Sequence, residues 1–310
     1  MSEADGGRCL LGDWIIRNVN DGDEETVASF GFALHMHYLY HGDFEQKNMF
    51  LAGKENEALA IANLTYHDTF HAAGHDDDPG FIRYLTGEIS FAGEDEDEAV
   101  KDALLNALIA RTREIKAQHP EKRIVLNQYI DPDNLAEQSY YLKRGFTIYE
   151  SIVILKYDLS RPVPAYPLPE EVQIRPFLLN NDEAREKYTL AEQDSFDGVA
   201  WSLNHLAWMQ GTPEIVNFCA FSGDQFLGNT STWRISDSHS VTENVFVIPQ
   251  WRSRGIARNL LCTALAYLKE QGKSVATLGT YGTNKKAIRL YTQLGYELDG
   301  FRLTLGYELD

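Results

Sequence analysis

Apolar positions along this chain change their spacing in a repeating order. Short runs rich in β-branched and aromatic residues predict strands at Trp14–Asn18, Met49–Ala52, Ala58–Leu64, Ile82–Ala92 and Ile124–Tyr129. Between them, apolar residues three and four apart predict helices over Glu24–Tyr40, Ala99–Lys116 and Asn134–Lys143. The second half runs through the same order. It predicts a strand at Gln173–Arg175, helices as far as about Gln210, then strands near Asn217–Phe221, Phe226–Trp233 and Thr242–Ile248. A helix from Arg258 to Leu268, a strand at Ser274–Thr280 and a helix from Asn284, closed by Gly295 at its C-cap, complete it.

The two halves are also alike residue by residue. Asn134, Tyr141, Gly145 and Phe146 fall on Asn284, Tyr291, Gly295 and Tyr296 without a gap, and Tyr157-Asp158-Leu159 falls on Tyr307-Glu308-Leu309. Such internal similarity points to a tandem pair of related units. Between them, Arg161-Pro162-Val163-Pro164-Ala165-Tyr166-Pro167-Leu168-Pro169-Glu170 holds four of the ten prolines, a composition that favours an extended connector. The expected division is therefore 1–160, a linker over 161–170, and 171–310.

Charge separates the halves. Residues 1–160 hold 14 Lys/Arg against 29 Asp/Glu, whereas residues 161–310 hold 14 against 17. Neither half has the basic surface that nucleic acid requires, and a negative field attracts small cations such as amines. The start, Met-Ser-Glu-Ala-Asp-Gly-Gly-Arg, lacks the apolar core of a signal peptide, and no run is long enough to span a bilayer. Cys9, Cys219 and Cys262 are scattered and without metal spacing. A cytoplasmic protein with reduced thiols, a small-molecule partner, no membrane and no nucleic acid is expected; the sequence is silent on oligomeric state.

The most informative stretch begins at the apolar run Val245-Phe246-Val247-Ile248, stopped by Pro249. Gln250-Trp251-Arg252-Ser253-Arg254-Gly255-Ile256-Ala257 then leads straight into a helix. A strand, a tight turn with Arg and Gly, and a helix N-terminus together make an anion site, because the first helical N–H groups lack internal partners and the dipole favours negative charge. Arg252-Ser253-Arg254-Gly255-Ile256-Ala257 fits Arg/Gln-x-x-Gly-x-Gly/Ala, and Asn284…Ala287…Leu290-Tyr291…Leu294-Gly295-Tyr296 follows in order. In these two motifs the chain resembles the GNAT superfamily of acyl-CoA-dependent N-acetyltransferases. The resemblance implies an α/β fold with mixed sheets, as two tandem GNAT-like domains, and acetyl-CoA as co-substrate without a metal. The tandem arrangement is similar to that of the mycothiol synthases, although no residue here specifies a thiol-sugar acceptor.

The same resemblance implies roles. Arg252, Ser253, Arg254, Gly255, Ile256 and Ala257 would hold the pyrophosphate. Phe246, Val247 and Ile248 would carry the pantetheine and thioester, with the Val247 N–H polarising the carbonyl. Asn284 would touch the cofactor, and Tyr291 would be the general acid, unless it is a core aromatic of its helix. Glu243 is the candidate base, or else a strand-end carboxylate. Phe196, Trp201, His205 and Trp208, with Glu192, Asp194 and Asp197, suit an ammonium-bearing acceptor. A non-catalytic acyl-CoA-binding module is the alternative.

The first half departs from this pattern. Aligning Leu104-Leu105 with Leu260-Leu261 sets Glu96–Lys101 on Arg252–Ala257, so that an acidic run, Glu94–Glu98, replaces the turn and Ala99 replaces its glycine. Carboxylates favour a helix start but repel a phosphate. This half is expected to keep the fold without the pyrophosphate loop. His67, His71 and His75 have spacing conceivable for a metal, yet Gly74 and Asp78-Pro79-Gly80 mark a polar loop.

Overall fold

A computed structural model describes residues 9–11, 14–39, 46–54, 57–66, 82–120, 123–196 and 200–309. Among these, one compact unit holds the residues up to 128 together with 306–309, and a second holds 129–305.

In the first unit the strands are β1 (Cys9–Leu11), β2 (Trp14–Asn18), β3 (Met49–Lys54), β4 (Glu57–Tyr66), β5 (Ile82–Phe91) and β6 (Arg123–Ile130), in that spatial order. Neighbours are antiparallel through β5, and β5–β6 is parallel. A parallel pair needs a long crossover, which α3 (Glu98–Gln118) supplies. Leu104, Leu105 and Leu108 on α3 are buried. The single helix expected over Glu24–Tyr40 is two, α1 (Glu24–Ser29) and α2 (Phe32–Leu39), because Gly31 sits between them at φ +132°, outside helical backbone space. Val27, Leu34 and Tyr38 from these helices pack with Met49, Leu51 and Ile61.

The second unit orders its strands β13 (Glu297–Leu309, of which this unit holds the residues to Leu305), β7 (Thr147–Asp158), β12 (Val275–Tyr281), β11 (His239–Val247), β10 (Gln225–Arg234), β9 (Val216–Ser222) and β8 (Gln173–Pro176). β8 to β11 are antiparallel neighbours, β11–β12 is parallel, and β12–β7 is antiparallel. Helices α4 (Leu135–Leu142), α5 (Asp182–Ser195), α6 (Leu203–Met209), α7 (Ile256–Glu270) and α8 (Lys285–Leu294) complete it. The crossover α7 buries Ile256, Leu260, Leu261, Leu265 and Leu268, each worth roughly 1.5–3 kcal/mol in removal from water. The proline-rich segment 161–170 lies inside this unit, whose sheet includes β7 from before it.

The hydrophobic pattern did not foretell β7 and β13. Both run largely half-buried or exposed, without clean alternation, until their last residues. Among the described residues no helix is long and apolar enough to cross a membrane.

Candidate functional site

β11 ends in a 3₁₀ turn, Pro249–Trp251, and the chain reaches α7 through two left-handed residues, Ser253 (φ 63°) and Gly255 (φ 81°). A Cβ at Gly255 would come no nearer than 3.6 Å to the Pro167 carbonyl. Glycine is required there by its backbone angle, and space is not the constraint. Gly255 is the N-cap of α7, and no side chain caps this helix. By contrast α4, α5, α6 and α8 start beneath Asn134, Asn181, Ser202 and Asn284, each accepting a backbone N–H. The first N–H groups of α7, on Ile256, Ala257 and Arg258, thus face outward with the positive end of the helix dipole.

The two arginines of the turn are used differently. Arg254 is half-exposed, over the Trp251 ring at 4.6 Å and 3.9 Å from Glu171. Arg252, exposed like Arg254, is held by backbone: its Nε donates to the Val247 carbonyl at 2.9 Å and its Nη2 to the Ser195 carbonyl at 2.5 Å. Its guanidinium ties the end of α5 to the end of β11.

β11 and β12 share only the register His239–Val241 with Val275–Thr277, after which β12 stays with β7 as far as Tyr281. The β12-facing edge of β11 therefore opens beyond Val241, beside the start of α7. β11 also carries a bulge. Its register against β10 shifts between Asn229 and Ser231, and Asn244 there is left-handed at φ 46°. Phe246, Val247 and Ile248 are buried, so these side chains serve the core. The Ile248 N–H donates to the Leu227 carbonyl at 2.8 Å and the Val247 carbonyl accepts from Arg252, while the alternation of an antiparallel ladder turns the Val247 N–H to the β12-facing edge. Glu243, across from Ser231, is half-buried. Burial lifts its carboxyl to about 7, against a hydrogen bond with Trp233 that lowers it.

On α8, Asn284 Oδ1 accepts the Ala287 N–H at 3.2 Å while its Nδ2 donates to Thr280 Oγ1 at 3.2 Å. Tyr291 is buried on the inner face of α8 among Leu261, Leu265 and Leu294, its ring 6.0 Å from that of Tyr296. Burial pushes its phenol up to about 12. Tyr296, also raised by burial, meets Thr242 Oγ1 at 3.4 Å.

The aromatic residues expected near an acceptor gather around α5 and α6. Trp201, His205 and Trp208 form a row with ring centroids 5.0 and 4.9 Å apart, and Phe196 packs on Phe246. Asp194 is exposed, and Asp197 lies outside the described residues. Glu192 is buried and lifted to about 7 by desolvation; the Trp201 N–H and the Asn244 amide, which it accepts, lower it. Tyr188, Asn229 and Asn244, which sequence reasoning passed over, join it in a buried polar group. Tyr188 Oη accepts from Asn244 at 2.7 Å and from Asn229 at 3.0 Å. The one sequence signal was an asparagine interrupting a strand's apolar run.

In the first unit α3 begins under Asp97, whose carboxylate accepts from the Ala99 and Val100 N–H groups at 2.8 and 3.3 Å. The N-cap of α3 is thus Asp97, two residues ahead of Ala99, so α3 starts earlier than α7, while the buried Val100, Leu104, Leu105 and Leu108 answer to Ile256, Leu260, Leu261 and Ala264 and keep Ala99 paired with Gly255. Tyr141 is buried against Tyr140 and Phe146. The His67, His71 and His75 group lies outside the described residues.

Residues 178–296 match the Acetyltransferase (GNAT) family. The mycothiol acetyltransferase of Acidothermus cellulolyticus is 24% identical over 300 residues, covering 88% of this chain and 84% of that protein. That of Thermobispora bispora is 28% identical over 166 residues, 49% of this chain and 55% of its own length, so the chain spans about half of this relative. Among solved structures, a tandem GNAT protein from the clavulanic acid biosynthesis pathway has a TM-score of 0.64 at 13% identity, covering 95% of this chain and 98% of its own. At that identity the likeness is one of fold.

Proposed function

We propose, from the match of residues 178–296 to the GNAT acetyltransferase family, that the second half of the chain transfers an acetyl group from acetyl-CoA to the primary amine of a small cationic acceptor. The observation that carries the reading is the uncapped start of α7 beside the open edge of β11. The N–H groups of Ile256, Ala257 and Arg258, with Arg254, receive the pyrophosphate. The thioester lies along β11, where the Val247 N–H donates to its carbonyl as negative charge develops. Asn284 borders the cofactor at the start of α8.

Glu243, ionised above its pKa of about 7, takes a proton from the incoming ammonium, directly or through water. The amine then forms its bond to the acyl carbon as the carbon–sulfur bond breaks. Tyr291 passes a proton to the departing thiolate, and the second proton shed by the nitrogen as the amide forms returns to the Tyr291 phenol through solvent. Its burial keeps it protonated but makes it a weaker acid than a free phenol, so the role rests on closeness to the sulfur. The acidic composition and the Trp201–His205–Trp208 row support a cationic acceptor. Two relatives are named mycothiol acetyltransferases, which puts a mycothiol-related amine on the acceptor panel. The capped, acidic start of α3 supports a first half that lacks a pyrophosphate loop.

Calorimetric titration with acetyl-CoA tests the reading. One site per chain is expected, lost in Gly255→Glu, and thiol release with one member of an amine panel should vanish in Tyr291→Phe. Binding without turnover across a broad panel would favour a non-catalytic acyl-CoA-binding module, a reading that the burial of Tyr291 in the core supports.

A further inference from the structure

We infer that Glu192 and Asn244 form a clamp that holds the chain leading into α6 and the bulged segment of β11 in one fixed geometry, as positioning residues for acyl transfer. The link to transfer rests on the function proposed above; the clamp itself stands on geometry alone. Asn244 has left-handed backbone inside a strand, a conformation that disfavours side chains and persists only where surroundings enforce it. Its surroundings do enforce it. The Nδ2 group donates one hydrogen to Glu192 Oε1 at 2.5 Å and the other to Tyr188 Oη at 2.7 Å, and the Asn244 carbonyl accepts from Asn229 Nδ2 at 3.0 Å.

Glu192 faces both ways. Its second oxygen, Oε2, accepts the Trp201 N–H at 2.9 Å, and Trp201 opens the aromatic row of α6. One turn further along α5, Arg252 joins the Ser195 and Val247 carbonyls. The last turn of α5 thus holds both ends of Asn244–Val247, the segment that presents the Val247 N–H. With both oxygens occupied and the side chain buried, Glu192 is placed to hold structure, whereas Glu243 takes the proton. A shift at Trp201 or at the bulge would strip a hydrogen bond from a buried carboxylate, which couples the two segments.

Amide hydrogen exchange on the full chain tests the clamp, with two variants expected to fold. Asn244→Gly accepts the left-handed backbone and deletes only the side chain. Glu192→Gln keeps the shape but sets an amide nitrogen where one oxygen accepts. Without ligand, Asn244→Gly should speed exchange across Ala200–Met209, on another element, by about 10- to 100-fold, and Glu192→Gln should do so at His239–Ile248. The α7 amides should stay as slow as in the natural chain, and the double variant should be no worse than the larger single effect. Saturating acetyl-CoA should slow exchange at Ala200–Met209 in the natural chain and not in either variant, while protecting Arg252–Arg258 in all three. Unchanged exchange at Ala200–Met209 in Asn244→Gly overturns the clamp, as does faster exchange everywhere, α7 included, which marks a contact that merely holds the fold. Acetyl-CoA that protects nothing in the natural chain defeats the transferase reading, and the ligand-free comparison still decides the clamp.

Discussion

Helices α3 and α7 are the same crossover in two copies, each joining a parallel strand pair, and they differ in how their first N–H groups are satisfied. On α3 the Asp97 carboxylate takes two of those donors, and Glu96 beside it pairs with Lys101 at 2.8 Å. On α7 the N-cap is Gly255, left-handed and without a side chain, so the donors stay open next to Arg254. A capped start stabilises its own helix; an uncapped start leaves that stabilisation to a ligand's negative charge. One backbone topology thus serves as scaffold in one unit and as anion cradle in the other.

The sharpest way to break the comparison is to move the cap. Gly255→Asp sets a carboxylate at the open start of α7, on left-handed backbone unlike the extended backbone of Asp97, and acetyl-CoA affinity by calorimetry should fall by two orders of magnitude or more, roughly the worth of several charge-assisted hydrogen bonds. An unchanged affinity would mean that the cofactor does not use this helix. Next, Tyr291→Phe should lower turnover about 10²- to 10⁴-fold, the usual range for a general acid, with acetyl-CoA affinity within a few-fold of the natural chain. Glu243→Gln should lower turnover by about 10²-fold and remove the acidic limb of the pH profile, since only the ionised carboxylate, present above about 7, accepts a proton.

Stability carries a smaller signal of the same buried acids. Burial raises Glu192 from its ordinary value to about 7, so the folded chain keeps a proton that the unfolded chain releases. The resulting stabilisation is complete below the unfolded value near 4.5 and is lost as pH climbs through about 7. It amounts to a few kcal/mol. Urea midpoints measured between about pH 5 and pH 8 should therefore fall, and Glu192→Gln should flatten that slope. The smallest effect expected is at the other helix. Asp97→Ala should cost about 1 kcal/mol through the lost cap, seen as a lower melting temperature, and should create no acetyl-CoA site in the first unit, because Glu94–Glu98 still surrounds the helix start.

Much of this was legible from residue order alone. Trp14–Asn18 is a strand with the bounds its pattern gave, and α7 begins within two residues of the expected place, because local spacing and glycine stop signals act over a few residues. The internal repeat, the glycine of the anion turn and the acidic replacement in the first half are also statements about neighbours in sequence. What tertiary structure alone decided involves partners far along the chain. The strands β7 and β13 have little apolar alternation, and pairing partners define them. Arg252 donates to the carbonyl of Ser195, 57 residues away. Asn244 is left-handed because Tyr188 and Glu192, 56 and 52 residues earlier, take both hydrogens of its amide. Local pattern writes helices, turns and caps; the opening of β11 and the polar group behind it arise only when distant backbone is brought close enough to hydrogen-bond.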